Sequence, residues 1–129
     1  MNYSAEFYFL NKEKQTINME KFINDIMLDI PVINLDAIWK GNFKDLPPNQ
    51  NYQLIIDYPI HGVPIKFNIK TGKKGINLFR LLSIIGEKYQ YIYDHETDYN
   101  IYGHDIYDLQ LEGITVNHKK KIIELSVGS

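Results

Sequence analysis

From residue 78 to residue 92 the apolar side chains fall at Leu78, Leu81, Leu82, Ile85, Tyr89 and Ile92. That three-and-four spacing lines one face of an α-helix. A stripe of this kind has to lie against another apolar surface, and the chain on either side of it alternates with the period of two that marks strands. Helix packed on sheet, an α+β domain, is the arrangement that satisfies both periods. Asn77 or Thr71 is the expected N-cap, and the helix is expected to end near Tyr91–Asp94. Gly86 costs a helix interior roughly 1 kcal/mol relative to alanine. Close packing on a sheet is the expected reason for its presence.

Upstream, Tyr3–Leu10 is rich in aromatics and reads as a first strand, followed by a polar turn at Asn11–Gln15. Asn18 can cap a first helix, whose buried face is Phe22, Ile23, Ile26, Met27 and Ile30 and which Pro31 ends. Leu35–Phe43 contains the only tryptophan, Trp39, in a short strand expected to bend at Gly41. Asp45–Asn49, with its paired prolines, is a loop. Tyr52–Tyr58 carries the run Leu54-Ile55-Ile56 and is expected to be a strand buried on both faces. After the turn Pro59–Gly62, Ile65, Phe67 and Ile69 alternate with Lys66, Asn68 and Lys70, the second arm of an antiparallel hairpin with one wet face. Pro59 and Pro64 place that end of the ladder at an edge. Thr71–Gly75 is the turn into the helix described above.

Downstream, Ile106–Val116 reads as a strand whose parity changes. Leu109 and Leu111 are odd-numbered, Ile114 and Val116 even. One regular strand cannot bury all four on one side, so an extra residue at Glu112-Gly113 is expected as a bulge. A turn at His118–Lys120 and a last strand through Ile123, Leu125 and Val127 complete the order β-α-β-β-β-α-β-β. The expectation is a single α+β domain over residues 1–129, with a mainly antiparallel sheet and two helices. At 44% hydrophobic and 23% charged residues the chain has the composition of a globular domain, and it has no cysteine for disulfides or thiolate metal sites. No run of apolar residues reaches a membrane span and no signal peptide is legible, so a cytoplasmic protein is expected.

Charge is unevenly spread along the chain. Tyr89–Glu112 holds six of the ten tyrosines, six carboxylates and no Lys or Arg, leaving 14 basic against 10 acidic residues elsewhere. Tyrosine offers a stiff amphipathic contact surface, and clustered carboxylates set up a negative field. The net charge of −2, with aromatics among the acids rather than the lysines, argues against nucleic acid as a partner. Lys66, Lys70, Lys73, Lys74 and Lys119–Lys121 read as solvated faces and turns. With Tyr89 and Tyr91 finishing the helix and Leu109 onward in a strand, the candidate surface narrows to Tyr93–Asp108. Its charge partners are Asp94, Glu96, Asp98, Asp105 and Asp108, and its anchors Tyr93, Tyr99 and Tyr102.

Chemistry other than binding is poorly served. Asp94, Glu96, Asp98 and Asn100 alternate like a calcium loop, but the sixth and twelfth positions, Tyr99 and Asp105, lack the required Gly and Glu. His95 and His104 with nearby acids could serve a metal or a small-ligand enzyme, yet the His-Glu-x-x-His spacing is absent. No nucleophile elbow or phosphate-cradling glycine loop is present. No cofactor and no metal are expected. A homo-oligomer formed through the tyrosine surface is a further alternative to a hetero-partner.

The carboxy-terminal stretch YGHDIYDLQLEGITVNHKKKIIELSVGS, in particular Gly103-His104-Asp105, Asp108-Leu109 and Leu111-Glu112-Gly113-Ile114, resembles small bacterial immunity proteins. These neutralise contact-dependent growth inhibition toxins and related polymorphic toxins. The resemblance implies a cytosolic, non-catalytic protein that binds a cognate toxin domain, often a nuclease. A nuclease has to hold a polyanion and carries a basic rim, which an acidic, tyrosine-bearing surface would complement.

Overall fold

The computed structural model describes residues 2–7, 17–18, 39–41, 43–99, 101, 103 and 105–128. Seven strands form one sheet: β1 (Asn2–Phe7), β2 (Ile17–Asn18), β3 (Trp39–Gly41), β4 (Asn51–Ile56), β5 (Ile65–Lys70), β6 (Gln110–Asn117) and β7 (Ile122–Gly128). One α-helix, α1 (Leu78–Asp94), and a 3-10 turn at Ile106–Asp108 complete the described elements. The first helix expected from sequence, together with Tyr8–Leu10, lies outside the described residues. Asn18, its expected cap, stands in β2.

The sheet order is β3-β1-β6-β7-β4-β5, with β2 also paired to β6. β1 covers Gly113–Asn117 of β6 and β2 covers Gln110–Leu111, so two strands share one edge. The sheet is mainly antiparallel, as expected, but mixed: among the described pairs β4 and β7 run parallel, Gln53 opposite Ile122 and Ile55 opposite Glu124. Parallel neighbours require a crossover, and β5, α1 and β6 together supply it. The hairpin of β4 and β5 is antiparallel as expected, and β5 closes one end of the described sheet.

The parity break in β6 is resolved by the anticipated bulge. Leu111 pairs with Val127 and Gly113 with Ser126, so Glu112 is the extra residue. Leu109, Leu111, Ile114 and Val116 are all buried as a result. Ile106–Asp108 forms the 3-10 turn rather than the start of the strand, correcting the expected boundary. The turn's ends hold it there: Asp108 N–H donates to the Asp105 carbonyl and the Asp108 carboxylate accepts from Asp105 N–H.

β4 is not buried on both faces. Tyr52, Leu54 and Ile56 are buried, whereas Asn51 and Gln53 are exposed and Ile55 is half-exposed. Among the described residues α1 covers only one face of the sheet, so an apolar run does not by itself make a two-sided strand. All six residues of the helical stripe are buried, and Gly86 with them. Asn77 is the N-cap, its Oδ1 accepting from Arg80 N–H at 2.8 Å. The helix entry is fixed by a bridge between Leu46 and Ile76, two backbone hydrogen bonds of 2.8 and 3.0 Å. Gly75 permits that bridge: its φ is +74°, and a Cβ there would overlap the Leu46 carbonyl oxygen.

Candidate functional site

The helix α1 starts beside the Thr71–Ile76 segment and runs over the sheet to the opposite end, where the Tyr89 hydroxyl donates to the Tyr58 carbonyl at 2.8 Å. The loop after β4, the carboxyl end of α1 and the 3-10 turn before β6 therefore meet at one end of the molecule. Ile101, buried, ties the loop after the helix to the Tyr58–Ile60 turn through an antiparallel bridge to Ile60. Backbone bonds from Asp98 N–H to the His95 carbonyl and from Tyr99 N–H to the Glu96 carbonyl hold the loop in successive turns.

Most of the sequence-selected residues converge here. Asp94, Glu96, Asp98, Asp105 and Asp108 are exposed, while Tyr93 and Tyr99 are half-buried and pack against the core. Tyr102 and His104 lie outside the described residues. Tyr93 is the hub: burial pushes its hydroxyl pKa up, and the charges of Glu96, Asp105, the Tyr58 hydroxyl and Asp108 add to that. Two segments twelve residues apart, Tyr93–Glu96 and Asp105–Asp108, thus place their acids around one ring.

Two contributions to this end were not found from sequence. Asp57 reaches it from the end of β4, exposed and near enough to Tyr89 to raise its hydroxyl pKa further after burial. No local pattern signals Asp57, because only the fold brings it there. Tyr91 is the other. It is 46% exposed and lies 4.4 Å from the His95 ring, 6.0 Å from Tyr99 and 6.3 Å edge-on from Phe67, centroid to centroid. Lys88 Nζ stands over the Phe67 ring, 5.2 Å from its centroid. An aromatic off the buried stripe of a helix was the available signal for Tyr91. His95 Nδ1 donates to the Tyr91 carbonyl at 2.8 Å, so this nitrogen is committed to capping the helix rather than open to a ligand.

The electrostatics of this end oppose stability. The carboxyl end of a helix carries about half a negative charge, which basic residues normally offset. The last turn of α1 has no basic residue and ends on Asp94, with Glu96 and Asp98 just beyond. At the other end, Arg80 sits in the first turn, where acids are favoured, and none is present. Side-chain charge and helix dipole therefore add, making the tyrosine end more negative than its carboxylates alone.

No group of three or more His, Asp or Glu placed to hold a metal occurs among the described residues. Among them, too, no helix is long and apolar enough to cross a membrane. Comparisons with protein-family profiles, characterised proteins and solved structures find no match to this chain.

Proposed function

We propose that this chain is a non-catalytic immunity protein that binds a cognate toxin domain through its acidic, tyrosine-bearing end. The observation that supports the reading is the uncompensated carboxyl end of α1. Asp57, Asp94, Glu96, Asp98, Asp105 and Asp108 gather where the helix dipole is already negative, an arrangement that costs fold stability and is accounted for by a basic partner. Tyr91, Tyr93 and Tyr99 give the same surface aromatic anchors held by packing, so little side-chain entropy is lost on docking. A nuclease domain, whose substrate site is basic, is the partner such a surface would occlude.

Affinity capture from the native source tests this directly. The expected product is a basic protein of toxin type. Its binding should weaken at least tenfold when Glu96→Lys and Asp98→Lys are introduced together, with the circular dichroism spectrum retained. Equal affinity and equal salt dependence of the double variant would exclude this end as the interface.

A further inference from the structure

The end of the molecule opposite the carboxylates is basic, and two separate chain segments make it so. The β5–α1 turn presents Lys70, Lys73 and Lys74, all exposed, and the β6–β7 turn presents exposed Lys119 and Lys120 and half-buried Lys121. β5 and β7 flank β4, so the two turns stand about 10 Å apart, twice the spacing of adjacent strands. Among the described residues none of these six lysines is in an ion pair. Both turns have fixed backbones. Asn117 Oδ1 accepts from Lys119 and Lys120 N–H at 3.1 and 2.9 Å, and Asn49 N–H donates to the Gly72 carbonyl at 2.7 Å.

The first turn of α1 continues the Lys70–Gly75 stretch. It carries Phe79, 37% exposed, and Arg80, whose charge is offset by an exposed ion pair to Glu87 at 3.5 Å, so the lysines make this end basic. Lysines on the turn that leads into a helix, with an exposed aromatic ring on that helix's first turn, are the groups that single-stranded nucleic acid uses, phosphates on the cations and bases on the ring face. The sequence expectation of no nucleic acid rests on the net charge of −2, which averages this end with the acidic one, and on the aromatics lying among the acids, to which Phe79 is an exception. The 17-residue helix separates the two ends by about 25 Å, roughly three screening lengths at physiological salt. Each end therefore presents its own field to a ligand.

We propose that this basic end binds single-stranded nucleic acid, its backbone held by the two lysine turns and a base stacked on Phe79. The proposal is independent of partner binding at the acidic end. The test is fluorescence anisotropy of a labelled twelve-nucleotide oligothymidine with the full chain at low salt, followed by salt titration. Binding should fall steeply, with a log–log slope of about −3 to −4 for four to six phosphate contacts. Lys73→Glu with Lys74→Glu, and separately Lys119→Glu with Lys120→Glu, should each weaken it at least tenfold and flatten the slope. Phe79→Ala should weaken it several-fold with the slope unchanged, which a purely ionic surface would not show. Glu96→Lys with Asp98→Lys should not weaken it. No binding at low salt, tighter binding of the matching duplex or of anionic vesicles, or indifference to Phe79→Ala and the lysine reversals would overturn the proposal.

Discussion

Tyr89 and Tyr93 show how one residue type serves the core and the surface a single helical turn apart. Tyr89 is 1% exposed, its ring in the core and its hydroxyl bonded to the Tyr58 carbonyl, whereas Tyr93 is half-buried beneath the carboxylates. Burial is the main cause of the raised pKa of each, with Asp57 next for Tyr89 and Glu96 next for Tyr93. An unfolded tyrosine ionises near pH 10. The folded chain keeps both neutral beyond that, so their contribution to stability is complete below about pH 10 and is lost as pH rises towards the folded values. Urea unfolding should therefore show stability falling above about pH 10. A Tyr89→Phe, Tyr93→Phe double variant should fall less steeply there, while losing about 1 kcal/mol at neutral pH with the Tyr89 hydrogen bond. Identical pH dependence of the two proteins would exclude these residues as the cause.

The elements divide into those that local pattern specifies and those it does not. The buried face and the end of α1 were legible from its stripe, but its start was not, since Asn77 and Thr71 are both able to cap and only the structure selects Asn77. The bulge at Glu112 was legible because a period of two cannot absorb Leu111 followed by Ile114 on one face. β2 was not, since two residues carry no periodicity, and neither was the parallel pairing of β4 with β7, which depends on strand order rather than on any strand's own sequence. Ile55 misled for a related reason: its apolarity is real, but the helix covers the other face. The carboxyl end of α1 yields a test at this scale. Asp94→Lys would place a cation at the negative end of the dipole and should raise the fold's stability by about 0.3–1 kcal/mol, despite losing the exposed contact from Gln90. The same variant should weaken partner binding. A variant that is less stable and binds equally well would remove the case that these acids serve a partner rather than the fold.

Among the described residues the charges lean along the helix, with six exposed acids near the carboxyl end of α1 and six lysines at the other, and Lys66 and Asp45 as exceptions at the two ends. Half of this pattern is written in the sequence, since Tyr89–Glu112 lacks any Lys or Arg. The other half is tertiary. Lys70–Lys74 and Lys119–Lys121 are more than forty residues apart and meet only because β5 and β7 both border β4. Asp57 joins the acidic end, and Tyr91 enters the aromatic surface, for the same kind of reason. A charge distribution of this shape acts on encounter more than on final affinity, because steering accelerates association and is screened by salt. The most direct measurement is thus the association rate with the captured partner across a range of ionic strength, for the native chain and for the Glu96→Lys, Asp98→Lys variant. The native rate should fall steeply as salt rises, and the variant should be slower at low salt and nearly flat. Equal rates with equal salt dependence would contradict an acidic docking end.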